Sequence, residues 1–133
     1  MAVTKDISVA QGVTHKEVFT IEVLTDPTQP YDEIANPYIP LDVSAAAIQM
    51  QVRQTYNSST VLLTATDLNG KFIKTDPTNG TFSLTVAPND THAFKFNSLT
   101  ASFPYDIQIV FSESNVIKVA AGNFIVEREV TRI

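Results

Sequence analysis

The sequence predicts an all-β fold, an antiparallel sandwich formed by a single domain spanning residues 1–133. Three observations carry this. Apolar and polar residues alternate with a period of two in one segment after another. Those segments are rich in β-branched and aromatic residues, which suit a pleated, half-buried surface. Turn-forming residues recur roughly every eight to twelve positions, the spacing of short strands in a sandwich or barrel. The prolines are expected between strands, where a missing N–H does least damage.

Residues 15–24 (HKEVFTIEVL) read as one strand, with Phe19, Ile21 and Val23 on one face and Thr20 and Glu22 on the other. Ile48, Met50 and Val52 then alternate with Gln49, Gln51 and Arg53. Residues 61–66 (VLLTAT) form a short β-prone run. Phe72 and Ile73 begin another before the turn 76–80 (DPTNG), and Phe82, Leu84 and Val86 alternate with Ser83 and Thr85. Tyr105, Ile107, Ile109 and Phe111 alternate with Asp106 and Gln108. Residues 112–116 (SESNV) read as a hairpin loop into a strand at 117–121, and 124–130 closes the chain. Short helical turns are expected at 41–47 and at 87–94 (APNDTHAF), the latter capped by Asn89 or Asp90. The expected core comprises Ile48, Met50, Val52, Phe82, Leu84, Ile107, Ile109 and Phe124, by their period-two placement.

Composition narrows the function classes. A chain of 133 residues buries roughly two-thirds of its unfolded surface as one domain. With 44% hydrophobic and 17% charged residues it is an ordinary globular sequence. A formal net charge of -5 offers no electrostatic footprint for nucleic acid or an anionic membrane. There is no cysteine, which removes disulfides, thiolate zinc sites and cysteine nucleophiles. The first residues, MAVTKDISVAQG, lack the apolar run of a signal peptide, and no stretch approaches about eighteen apolar residues. The chain is therefore expected to be made in the cytoplasm and to have no membrane partner.

No catalytic constellation emerges. The 2 histidines, His15 and His92, are far apart in sequence, there is no G-x-S-x-G elbow, and the 4 glycines form no phosphate-binding loop. The turns at 67–70 (DLNG) and 76–80 carry oxygen ligands but lack the alternating spacing and closing glutamate of an EF-hand. They read as ordinary β-turns. No metal, no cofactor and no enzymatic activity are expected.

The outstanding feature is the segment 25–40, TDPTQPYDEIANPYIP, which holds prolines 27, 30, 37 and 40 and tyrosines 31 and 38. A connection this long inside a compact domain is usually functional or disordered. Proline lowers the entropy lost on ordering, and tyrosine supplies contact area with few rotatable bonds. Two readings stand: Tyr31, Ile34, Tyr38 and Ile39 pack across an open end of the sandwich, or they contact a partner.

Several segments carry a resemblance in the same order along the chain, from about Gln11 to Arg132. Gln11-Gly12-Val13-Thr14 before an alternating strand resembles the QGDT-type opening of small β-sandwich proteins of tailed-phage tail modules. PLDVSAAAIQMQVR, from Pro40 to Arg53, resembles their P-I-D-L-T-G-Y-x-A-x-x-Q-I-R segment. Phe103-Pro104-Tyr105-Asp106-Ile107-Gln108-Ile109 is similar to their Y-x-Y-D-L-x-L strand. Gly122-Asn123-Phe124-Ile125-Val126, continuing to Val130-Thr131-Arg132, resembles their close. This chain departs from the pattern at Val13, at Ala46 and in the length of segment 25–40.

The resemblance implies an immunoglobulin-like antiparallel β-sandwich that acts as a non-enzymatic virion component. It would be a tail, baseplate or fibre-attachment adaptor, similar to the N-terminal domain of baseplate upper proteins, contacting other phage structural proteins within a symmetric assembly in which it can also self-associate. The family supplies no catalytic residues. Within the same class, a head decoration protein is the alternative. From another class comes a carbohydrate-binding module, which would stack exposed aromatics on sugars; the absence of tryptophan counts against it.

Overall fold

The computed structural model describes residues 3–128, and the expected strand residues 129 and 130 lie outside that range. The strands are β1 (Val3–Thr4), β2 (Ile7–Ala10), β3 (His15–Thr20), β4 (Glu22–Leu24), β5 (Tyr38–Pro40), β6 (Ala47–Arg53), β7 (Val61–Thr66), β8 (Phe72–Asp76), β9 (Thr81–Val86), β10 (Thr100–Ser112) and β11 (Asn115–Glu127). A 3-10 turn covers Pro77–Asn79, and one short helix, α1 (Pro88–His92), joins β9 to β10.

The fold is an all-β sandwich. The larger sheet runs β1-β11-β10-β6-β7, with β2 also pairing along β11, and the smaller sheet runs β3-β9-β8. Within both sheets the strands are antiparallel except that β1 and β2 lie parallel to β11. Strands β4 and β5 form a separate two-stranded ribbon.

Alternation builds the core as the sequence requires. Ile48, Met50 and Val52 meet Ile107 and Ile109 across the β6–β10 pairing, facing inward from the larger sheet. Phe82, Leu84 and Val86 face them from the smaller one, and all eight residues of the expected core are buried. Phe19 stacks on Phe82 at 5.5 Å, and Phe72 meets the same ring edge-on at 5.6 Å. Just past α1, Phe94 plugs one end of the core against Phe103 and Phe124, at 5.0 and 5.6 Å. Such aromatic pairs contribute about 0.5–1.5 kcal/mol each beyond the area they bury.

Several expectations are corrected. Residues 15–24 do not form one strand: β3 ends at Thr20, Ile21 bridges, and β4 leaves for the ribbon. The Ile21 N–H still bonds in register to the Gly80 carbonyl, but the ladder with β9 ends there, because the Gly80 N–H turns to Pro77 and the Ile21 carbonyl accepts from Leu41 instead. Segment 41–47 is a turn and not a helix, because Asp42 takes both the backbone N–H and the hydroxyl of Ser44. The helix runs from Pro88 to His92 with Ala87 at its N-cap; Asp90 lies inside it and accepts from the Ala87 N–H at 2.7 Å.

The expected loop 112–116 shrinks to a turn at Glu113-Ser114, and the two expected closing strands are one, β11. A β-bulge explains the misreading. The register with β10 slips between Ile107 and Gln108, leaving Val119 as an extra residue. Val119 and Ala120 are consequently both buried, so the alternation changes phase in mid-strand. Pro104 lies inside β10 rather than between strands, one residue beyond the last pair to β6.

Strands β1 and β2 were not expected. They are fastened by the Lys5-Asp6 step between them. The Tyr105 hydroxyl donates to the Lys5 carbonyl, and the Asn123 N–H donates to Asp6 Oδ1 at 3.0 Å. Lys5 also pairs with Glu17 at 3.0 Å, and His15 meets the same carboxylate at 2.9 Å. Burial alone would raise the Glu17 carboxyl, but the hydrogen bonds from His15 and Lys5, with their charges, outweigh it and hold it below its usual range.

Candidate functional site

Segment 25–40 is an ordered arm. It is not a featureless loop. Its base is the β4–β5 ribbon, in which Glu22, Val23 and Leu24 pair with Pro40, Ile39 and Tyr38. The arm is rooted where Ile21 donates to the Gly80 carbonyl at 2.9 Å and Leu41 donates to the Ile21 carbonyl at 3.0 Å. Gly80 occupies the left-handed region at φ +73, and a Cβ there would collide with the Ile21 carbonyl and lie 2.8 Å from that of Leu41. A residue with no side chain is what lets the arm sit this close to the turn before β9.

Beyond the ribbon, side chains replace the missing ladder. Thr25 donates its N–H and its hydroxyl to the Pro37 carbonyl, at 3.1 and 2.8 Å. Asn36 is the hub. It is only 5% exposed. Its Oδ1 accepts from the Asp26 N–H at 2.7 Å, and its Nδ2 faces the carbonyls of Asp26, Gln29 and Pro30 at 2.9, 3.1 and 3.0 Å. Asp32 and Asn36 also exchange backbone hydrogen bonds at 3.0 and 2.9 Å, which pinches the tip closed.

Two aspartates turn the chain. Asp26 accepts from the hydroxyl and N–H of Thr28, and those two bonds hold its carboxyl below the ordinary range. Asp32 accepts from the N–H groups of Ala35 and Ile34, each at 2.9 Å, with the same effect. Both are Asx-type turns, which satisfy backbone donors that a strand ladder would otherwise take.

This scaffold presents the four residues singled out from the sequence. Ile34 is 92% exposed at the tip, Tyr31 53%, Tyr38 43% and Ile39 42%. The Tyr31 and Tyr38 rings stack, centroids 5.0 Å apart and 19° from parallel. None of the four belongs to the buried core or to the partly buried hydrophobic residues packed against it. What sequence reasoning missed was Asn36, one polar residue among several in the segment. The Asx-forming aspartates at 26 and 32 were the available signal that the segment is folded.

The other candidates have local partners. Asp67 accepts from the Ile48 N–H at 3.2 Å, Asn69 accepts from Thr66 and Lys71, and Asp76 accepts from the Asn79 amide at 3.0 Å. His15 pairs with Glu17 on β3, and His92 lies on α1. Among the described residues no three His, Asp or Glu side chains gather around a point that an ion could occupy, and no helix is long and apolar enough to cross a membrane.

The arm presents a preordered aromatic and aliphatic surface to solvent. Ordering in advance lowers the entropy lost on association. No protein-family model matches the chain, and no curated protein matches it.

Proposed function

We propose that the protein is a non-enzymatic structural component of a tailed-phage virion. In this reading an immunoglobulin-like sandwich is the rigid body of a tail, baseplate or fibre-attachment adaptor, and the arm docks it to a larger structural protein. The observation that carries the reading is the arm. It is braced by Asn36, Asp26 and Asp32, yet it holds Tyr31, Ile34, Tyr38 and Ile39 out to solvent. Tyrosines set on a rigid support are frequent anchors of protein interfaces. The ordered resemblance from Gln11 to Arg132 supplies the assembly to which such an adaptor would belong.

The test has two parts. Labelled protein is located in purified particles by cryo-electron microscopy; a position in the tail supports the adaptor, a position on the capsid selects head decoration, and absence from particles overturns both. Residues 25–37 are then replaced by Asn-Gly, which keeps the β4–β5 pairing and closes the ribbon with a tight turn. The expected variant melts close to the parent but fails to enter particles. Normal incorporation would remove the arm from the docking surface.

A further inference from the structure

A second surface lies away from the arm, on the outward face of the larger sheet. There β6, β7, β10 and β11 line an open concavity of about 380 Å³, inside the range of roughly 300–1,000 Å³ of small-ligand pockets. Its floor follows from register. Gln51 stands between Thr64 and Asp106, and the next outward row places Gln49 between Thr66 and Gln108. Neighbouring strands lie about 4.8 Å apart, so the floor is a regular grid of amides, hydroxyls and a carboxylate.

An outward sheet face is ordinarily polar, and polarity alone would mean nothing. Three features set this face apart. Gln49 Nε2 donates to Gln108 Oε1 at 3.1 Å, so the two amides hold each other in place. The Arg53 guanidinium is tethered, donating to the Ser58 carbonyl at 2.9 Å and to Gln51 Oε1 at 2.7 Å, and among the described residues no carboxylate neutralises it. Tyr56, from the β6–β7 connection, lines the groove while 80% exposed.

Charge completes the description. Among the described residues, Arg53 and Lys118 line the groove against one carboxylate, Asp106, which Lys118 meets only at 3.9 Å. The groove is locally positive on a chain whose net charge is -5.

We propose that this groove binds an acid-bearing saccharide. The sugar ring lies against Tyr56, its hydroxyls bond to Gln49, Gln51 and Gln108, and its acidic group docks on Arg53. Each assignment follows from chemistry. A sugar hydroxyl both donates and accepts, and so does a carboxamide. A guanidinium already held by two bonds keeps further N–H donors in a fixed fork, which suits a carboxylate. A tyrosine offers a broad apolar face at little entropic cost. Nucleic acid is the poorer occupant, because two cations on an acidic protein provide little phosphate neutralisation. The binding reading does not depend on the arm or on the docking role.

The test titrates the isolated protein with trigalacturonate and, separately, with the neutral galactose trimer, each at millimolar concentration, using saturation-transfer NMR and calorimetry. The acidic trimer is expected to bind, with transfer from the Tyr56 ring, and to weaken as salt is added. Tyr56→Ala should weaken it at least about tenfold, equivalent to about 1.4 kcal/mol. Arg53→Gln should erase the preference for the acidic over the neutral trimer. Tyr31→Ala, on the arm, should change nothing. Equal affinity for the two trimers in the parent protein overturns the role of Arg53. No binding of either trimer, or binding indifferent to Tyr56→Ala, overturns the site. Tyr56 is exposed and outside the core, so its variant folds and keeps the test decisive should Arg53→Gln perturb the sheet. Incorporation into particles is read separately, which keeps failure here distinct from failure of the docking role.

Discussion

Replacing Asn36 with alanine is expected to open the arm while leaving the sandwich intact. The side chain is nearly fully buried and serves one donor and three carbonyls across residues 26–30. Its amide has two hydrogens for three carbonyls, so at least one of those contacts is shared. Three effective bonds at about 0.5–1.5 kcal/mol each give about 1.5–4.5 kcal/mol. The freed groups lie on an exposed arm where water can reach them, so the lower end applies. A loss of about 2 kcal/mol raises the open fraction of the arm about thirtyfold. The core is expected to be indifferent, since no residue of the arm tip belongs to it. Amide hydrogen exchange reads the two regions separately. Protection should fall at Asp26, Ile34 and Ala35, whose N–H groups the braced arm holds, and persist in β6 and β10. Unchanged protection in the arm, or equal losses in β6 and β10, would refute the reasoning.

Three further outcomes are expected. Gly80→Ala forces a Cβ onto the Ile21 carbonyl in a left-handed residue, whereas Gly70→Ala at φ +81 meets open space; denaturant titration should show about 1–2 kcal/mol for Gly70→Ala, the left-handed cost alone, and clearly more for Gly80→Ala. Equal losses would mean that the arm base yields freely. Ile107→Ala, in the centre of the larger sheet and fully buried, should cost about 2–5 kcal/mol in the same assay; a loss under about 1 kcal/mol would contradict its place in the core. Burial, helped by the charges of Asp6 and Glu17, pushes the Tyr105 phenol up to about 12. The unfolded phenol ionises near 10, so between those values the unfolded chain has released a proton that the folded one keeps. Stability from this source is whole below about pH 10 and is lost as pH rises towards 12. Tyr105→Phe should flatten that alkaline decline in unfolding measured across pH; an identical slope in both proteins would refute the assignment.

How much of this was legible depends on how local the cause is. The buried face of β6 could be read from Ile48, Met50 and Val52 because side-chain direction in a strand alternates whatever the partner is. The same holds for β9 and for the middle of β10. The four arm residues could be singled out because proline and tyrosine density is a property of composition. Reading failed where a distant atom decides. Residues 19–23 alternate cleanly, yet the strand breaks at Ile21 because Leu41, far along the chain, takes its carbonyl and Gly80 turns its own N–H to Pro77. In β11 the bulge at Val119 changes the phase of alternation, and its origin is register against β10. Strands β1 and β2 are short and depend on pairing with β11, the far end of the sequence.

The polar groove follows the same division. Its residue types stand in the sequence as the wet half of three alternating strands. Only register sets Gln49 beside Gln108 and Gln51 beside Asp106, and only tertiary folding brings Tyr56 and a tethered Arg53 to one concavity. Asn36 is the sharpest case. By itself the sequence determined the class of fold, the faces that meet in the core and the segment with unusual composition. Tertiary structure alone decided that this segment is a braced arm and not a loose loop, because a single buried amide accepts from one backbone N–H and donates to backbone carbonyls across residues 26–30, links that no periodicity records.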